Sequence, residues 1–350
     1  MAYTTVNKSS LHRNTTLITG NNSTQAFTGL GFAPDMIWTK KRNGTANHLL
    51  YDKIRGTGWY LYPNITNAQG GNGTTAGLSA FGTDGFTLTS GDDANGSGAT
   101  GVAWSWKAGT TGSGTTTGSG TGKAYSYSVN TTAGFSIIKF LGNATAGHTI
   151  PHHLGAVPKM IIVKKIEHVK DWNIYHASIG ATKGLYLNLT NAEQTHTNWN
   201  NTTPTSTVFS LGSDDQVNGT NNSYIAYCFA EKTGYSKFGS YIGNGNADGS
   251  FIYLGFKPAF FMIKRTDGSG DKWRLWDNAR SPFNLVDDSL APNESSVEYD
   301  DVSVSLDFLS NGCKMKMSGG GAGNGSGETY IYMAFGQSLV GSNGVTAKAK

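Results

Sequence analysis

Gly155-Ala-Val-Pro158-Lys-Met-Ile-Ile-Val-Lys164-Lys165 reads as Gly-x-x-Pro, a mostly apolar stretch, then two cations. The same pattern recurs as Gly31-Phe-Ala-Pro34-Asp-Met-Ile-Trp-Thr-Lys40-Lys41 and as Gly255-Phe-Lys-Pro258-Ala-Phe-Phe-Met-Ile-Lys264-Arg265. Recurrence at this spacing marks an internal repeat, and a repeated unit shares one fold. Four more markers keep their order around each copy. Gly20-Asn21, Gly142-Asn143 and Gly243-Asn244 precede it. Leu50-Tyr51-Asp52, Ile174-Tyr175-His176 and Leu275-Trp276-Asp277 follow it. Gly58-Trp-Tyr-Leu-Tyr-Pro-Asn-Ile-Thr-Asn-Ala68 resembles Gly184-Leu-Tyr-Leu-Asn-Leu-Thr-Asn-Ala192. An Asn-Gly pair at 95, 218 and 324 then leads into an aromatic run, Trp104-Ser-Trp106, Tyr224 to Phe229 and Tyr330 to Phe335.

The apolar runs are short, rich in β-branched and aromatic residues, and punctuated by Gly, Asn, Asp and Pro, which is a strand signature. Phe86-Thr-Leu88, Trp104-Ser-Trp106 and Val302-Ser-Val304-Ser-Leu306 alternate, as strands with one face on a core do. Asp84-Gly85 and Asn311-Gly312 are hairpin turns. Residues 160–177 lack Gly and Pro and could be drawn as a helix. The first copy carries Asn43-Gly44 at that place, so strand–turn–strand is the reading for both. The expected fold is all-β, with three tandem, diverged antiparallel β-sandwich repeats of jelly-roll or lectin-like form. Residues 1–108 form an arm and the first repeat. Residues 109–122, almost wholly Gly, Ser and Thr, form a flexible linker. Residues 123–234 are the second repeat, and 235–350 the third with a short solvated Ala-Lys-Ala-Lys tail.

Composition narrows the function. Lys and Arg number 27 against 23 Asp and Glu, scattered along the 350 residues, so no basic stripe marks a nucleic-acid partner. Charged residues make up 14% of the chain, well below the usual quarter, and 48 glycines with abundant Thr, Asn and Ser give a polar, weakly charged surface. No apolar run reaches the ~20 residues of a membrane span, so no membrane insertion is expected. The start lacks a secretory pattern, which implies synthesis in a cytoplasm. Cys228 and Cys313 sit in apolar runs of different repeats and read as buried free thiols.

No motif points to catalysis or to a cofactor, and the chain reads as a non-enzyme. Asp93-Ala-Asn95-Gly-Ser97-Gly98 copies the first half of a calcium loop, with Asp92, Asp93 and Asn95 as candidate ligands, but Trp104 stands where its bidentate Glu belongs, and a turn is the competing reading. Six of eight histidines, 148, 152, 153, 168, 176 and 196, fall in the second repeat and read as loop residues rather than metal ligands. Lys40, Lys164 and Lys264 end the strand after each Gly-x-x-Pro. Cross-strand ion pairs, Lys40 with Asp52 and Lys264 with Asp277, compete there with a shared anion or sugar-acid site. Trp199, inside Thr-Asn-Trp-Asn-Asn-Thr, reads as a loop tryptophan able to stack on a sugar ring.

The opening Met-Ala-Tyr-Thr-Thr-Val, Gly31-Phe-Ala-Pro34-Asp35, Ile150-Pro-His-His-Leu-Gly-Ala-Val-Pro158, Tyr224-Ile-Ala-Tyr-Cys-Phe229, Phe238-Gly-Ser-Tyr-Ile-Gly-Asn-Gly245 and Asp307-Phe-Leu-Ser-Asn-Gly312 span nearly the whole chain. They resemble a family of uncharacterised repeat domains in tailed-phage virion and tail-fibre-like proteins, often from marine phages. The resemblance implies a lectin-like β-sandwich on the outer surface of a virion and assigns no catalytic residue. Its expected partners are other virion proteins, further copies of itself (a trimer among the forms), and a host cell-surface glycan or receptor. The expected role is a tail- or fibre-associated host-recognition module. A capsid decoration subunit without a ligand is the alternative, and a polysaccharide-cleaving enzyme a remote one. The third copy departs most, with Ser281-Pro-Phe-Asn in place of Ser178-Ile-Gly-Ala.

Overall fold

The computed structural model describes residues 4–338 except 7, 75 and 322, and is almost entirely antiparallel β-structure. The Ala-Lys-Ala-Lys tail and the first three residues lie outside the described residues. The first repeat contains β1 (Arg13–Thr19), β2 (Gln25–Thr28), β3 (Met36–Lys41), β4 (Leu49–Asp52), β5 (Trp59–Tyr60), β6 (Gly70–Gly71), β7 (Leu78–Phe81), β8 (Gly85–Leu88) and β9 (Thr100–Trp106). Next come β10 (Thr110–Thr115), β11 (Thr117–Gly118) and β12 (Ala124–Asn130). The second repeat contains β13 (Phe135–Leu141), β14 (His148–Pro151), β15 (Pro158–Lys165), β16 (Asn173–His176), β17 (Lys183–Tyr186), β18 (Gln194–Thr195), β19 (Val208–Leu211), α1 (Asp215–Asn218) and β20 (Ser223–Ala230). The third contains β21 (Ser236–Ile242), β22 (Phe251–Tyr253), β23 (Pro258–Arg265), β24 (Arg274–Asp277), β25 (Asp288–Ser289), β26 (Tyr299–Asp300), β27 (Leu306–Leu309), β28 (Gly312–Met315) and β29 (Thr329–Gly336).

One wiring occurs three times. A main sheet β1-β9-β3-β4 is matched by β13-β20-β15-β16 and by β21-β29-β23-β24. Each faces a smaller sheet: β2-β8-β7, β11-β14-β19 and β22-β28-β27. Pro158 and Pro258 open their strands at a register shift, where a missing N–H costs little. The expected strand–turn–strand over 160–177 is present as β15 and β16. The hairpins at Asp84-Gly85 and Asn311-Gly312 are present too.

The inner strands of the main sheets, β3, β4 and β9 and their counterparts, are buried on both faces, and this explains why their sequences are apolar at consecutive positions. Ile37, Tyr51 and Ala103 point into the first repeat's own sandwich, whereas Trp38, Leu50 and Trp104 point the other way. The second repeat divides Ile161 and Tyr175 from Ile162 and Ile174 in the same manner, and the third divides Phe261 and Trp276 from Met262 and Leu275. The second set from all three repeats forms one common core. Trp38, Ile162 and Met262, equivalent in the three strands, meet around a void of only about 10 Å³ with no polar lining, so the axis is packed rather than a channel.

The seams between repeats are also equivalent. Gln69 and Ile166 of the first and second repeats exchange a backbone hydrogen bond of 2.8 Å; Glu193 bonds Thr266 at 2.8 Å, and Glu298 bonds Arg42 at 2.9 Å. His48, Trp172 and Trp273, at one position of the repeat, each donate a ring N–H to a neighbouring repeat's carbonyl: Ala291 (3.1 Å), Tyr62 (2.8 Å) and Tyr186 (3.0 Å). The ring closes where the Ser10 N–H donates to Ser338 Oγ at 3.1 Å. Three sandwiches therefore stand around a pseudo-threefold axis within one chain.

Three expectations are corrected. The 109–122 stretch is not a free linker: β10 pairs with β12, and β12 extends the main sheet beyond β13. Its glycines leave room for rings, since a Cβ at Gly112 would lie 2.6 Å from the Tyr127 hydroxyl and one at Gly114 2.8 Å from that of Tyr125. The 302–306 run does not continue as one strand, because 302–304 forms a turn of 3₁₀ helix capped by Asp301. The histidines are not all loop residues: His148 lies in β14 and His176 in β16, both fully buried, and His148 bonds Asn218 at 2.8 Å and Thr116 at 2.6 Å.

Candidate functional site

The structure turns the sequence-picked site residues inward. Trp199 is 1% exposed. Asn200 and Asn201 take left-handed conformations, and the loop curls so that the indole plugs the second sandwich edge-on to Tyr175, centroids 5.9 Å apart. The polar neighbours hid an apolar anchor, and no sugar reaches this ring.

Lys40, Lys164 and Lys264 are all buried. Lys164 Nζ donates to the carbonyls of Thr66, His168 and Lys170, and Lys264 Nζ to those of Thr190 and Arg265. Thr66 and Thr190 belong to neighbouring repeats, so these ammoniums tie seams. Lys40 donates to the Lys41 carbonyl at 2.6 Å. Burial pushes each of the three down to about 8. The expected ion pairs with Asp52 and Asp277 do not form, because Asp52 faces Met36 and Asp277 faces Phe260 at the other end of each hairpin. Asp52 instead holds Arg55 and accepts from Tyr227 of the second repeat at 2.7 Å. Asp277 holds Arg280 and accepts from Trp104 of the first at 2.9 Å.

The calcium candidate resolves into a turn. Asp92 is buried and accepts from Thr39 (2.7 Å), Tyr51 (2.8 Å) and the Ala94 N–H (2.8 Å), and burial raises its carboxyl. Asn95 donates to the carbonyls of Ser23 and Thr89. Asp93 is exposed, and among the described residues no three His, Cys, Asp or Glu side chains converge for a metal ion. Cys228 and Cys313 are buried and free.

The surface feature with the makings of a site lies on the third repeat, where the sequence departs from its siblings. After β24 the chain makes a loop anchored at both ends. Arg280 is clamped by Asp277 (2.6 Å) and Glu298 (2.8 Å), and Ser281 Oγ accepts the Asp288 N–H at 3.1 Å. Asn284 Oδ1 accepts the Phe308 N–H at 2.9 Å. Held between these points, Phe283 stands 74% exposed and Leu285 39% exposed. Below Phe283 opens a cleft of about 500 Å³ lined also by Lys257, Asn278, Asn284, Phe308 and Gln337. Asn278 and Gln337 also line a second cleft, of about 390 Å³, running to the seam with the first repeat at Ser10, Arg13 and Ser338. The two make one groove, whose lining includes Arg13 and Lys257 and no acidic residue.

Arg13 begins β1 and is 4% exposed. Its guanidinium lies 4.7 Å from the Phe260 ring centre and 5.6 Å from that of Trp106. Nη1 donates to the Ala259 carbonyl at 3.4 Å, whereas Nε and Nη2 have no partner. Burial lowers it to about 10, so it stays a cation at neutral pH. Sequence reading missed this groove. Ser281-Pro-Phe-Asn was visible as a departure, but nothing local said that Arg13, some 270 residues earlier, closes the same groove.

No curated protein matches the chain. One family profile, described as Domain of unknown function (DUF7483), matches residues 8–338, all three repeats together. The match covers most of the chain, and the chain belongs to the DUF7483 family.

Proposed function

We propose that the protein is a non-enzymatic module on the outer surface of a tailed-phage virion, and that it recognises the host by binding a cell-surface glycan in the third-repeat groove. The carrying observation is Phe283, an exposed ring on an anchored loop, beside a groove edged with amides. A sugar presents an apolar face and a rim of hydroxyls. An aromatic plate supplies the first contact and fixed amide groups the second, at little ordering cost because the loop is already held. Glycoside cleavage needs two carboxylates across the scissile bond, and the groove lining offers none. The sequence resemblance to phage virion proteins supports the location.

The test adds purified protein to a susceptible host and scores saturable binding and blocked phage adsorption. Phe283→Ala is expected to lose binding at least tenfold. Its melting point should hold, since truncating so exposed a ring changes stability by about 0.5 kcal/mol or less. No cell binding, with efficient reassociation onto stripped particles, overturns the reading in favour of a decoration subunit.

A further inference from the structure

The geometry points to a carboxylate-bearing ligand: the groove takes an acidic saccharide whose carboxylate lies over Arg13 while a neighbouring ring lies against Phe283. This rests on the glycan reading and adds the chemical class of the glycan.

Comparison of equivalent positions sets Arg13 apart. The residues facing Trp106, Phe229 and Phe335 across the first strand pair of each main sheet are Arg13, Phe135 and Ser236. At the second repeat Phe135 is 1% exposed, its ring stacked 4.9 Å from that of Phe229, so an aromatic fills this corner of the common core. The first repeat spends the same corner on a cation. A guanidinium taken out of water is costly unless its donors are matched. Here the match is incomplete, with one long bond to Ala259, two ring faces and two idle N–H donors. No carboxylate forms an ion pair with Arg13 among the described residues, and the nearby Asp277 is engaged by Arg280. Both idle donors are closed to solvent, so a ligand carboxylate would complete this set by drawing the guanidinium out toward the groove that Arg13 lines. It would enter past the hydroxyls of Ser10 and Ser338, with Lys257 adding a second positive charge further along the groove. Arg suits the task because its planar fork meets a carboxylate with two parallel bonds.

The experiment titrates the full chain with glucuronate-, galacturonate- and mannuronate-containing oligosaccharides, each beside its carboxyl-reduced neutral counterpart. Expected are at least tenfold tighter binding of the acidic member of a bound pair, loss of that preference in Arg13→Met, and its partial retention in Arg13→Lys. In the wild-type protein the Arg13 ¹⁵Nε–H resonance should shift with the acidic member and not with the neutral one, a readout independent of whether either variant folds. Equal affinity for both members, or a preference that survives Arg13→Met, overturns the acidic inference and leaves the glycan reading standing. Absence of binding to every saccharide, with Phe283→Ala indistinguishable from wild type on host cells, overturns both.

Discussion

Asn95, Asn218 and Asn324 are buried, and each fastens the turn after its repeat's first strand. Asn218 donates to the carbonyls of Thr145 (3.0 Å) and Gly212 (2.7 Å) and accepts the Asn143 N–H at 2.9 Å; Asn324 does the same with Asn246, Met317 and Asn244. The turn glycine lies against that asparagine's own peptide, so a Cβ on Gly20, Gly142 or Gly243 would come within 2.2, 2.4 or 2.2 Å of the carbonyl oxygen following it. Asn218→Ala removes the donor from two buried carbonyls and is expected to cost about 2–4 kcal/mol in denaturant unfolding. A variant with an unchanged midpoint would mean that water replaces the amide. In the sequence these residues were legible as two recurring dipeptides, Gly-Asn and Asn-Gly. That they are two halves of one device was not, because Asn143 and Asn218 meet across 75 positions. The recurring lysines misled for a related reason. Repetition flagged them correctly, but polarity argued for the surface, and part of what lets an ammonium stay inside comes from a neighbouring repeat, the Thr66 carbonyl for Lys164 and the Thr190 carbonyl for Lys264.

At the scale of elements, the strands were read from their apolar runs with little error, since β-branched and aromatic residues between turn formers leave few alternatives. The exceptions were 302–304, which turns into 3₁₀ helix, and β10, whose Thr-Thr-Gly-Ser-Gly-Thr has no apolar residue and is half glycine and serine. β10 pairs because β12 offers Tyr125 and Tyr127, whose rings lie against Gly114 and Gly112 too closely to admit a Cβ there, and because His153 stacks on Tyr127 at 3.7 Å. Gly112→Val with Gly114→Val should therefore detach β10. The expected signature is faster amide hydrogen exchange across 110–115 with the common core still protected. Protection of 110–115 equal to wild type would show that the rings move aside and that the pairing rests on backbone bonds alone.

For the whole molecule, the common core joins all three repeats, so no single sandwich buries its main sheet alone. Calorimetry should show one cooperative transition; three separable ones would contradict a shared core. Acid should lower its midpoint. Burial holds His48 well below its ordinary value and His176 at about 4, while the unfolded chain titrates near 6.5. Between those values the unfolded state binds more protons, so this stability is complete above about pH 6.5 and lost as the pH falls toward 4. His176 alone accounts for about 3 kcal/mol. Asp35 and Asp92, raised by burial, pull the other way and reduce the net loss. Both histidines lie on seams, His176 bonding Tyr332 and His48 bonding Ala291, and a midpoint constant from pH 7 to 4.5 would remove them from this role. Joining the three sandwiches in one polypeptide has a further result. Three separate identical chains around an axis must change together, since each mutation appears three times. Here the third unit diversifies at 281–285 and the second adds β10 and β12, and neither change is copied into the other units. Any avidity must then come from how many whole molecules are displayed side by side, not from the symmetry inside each one.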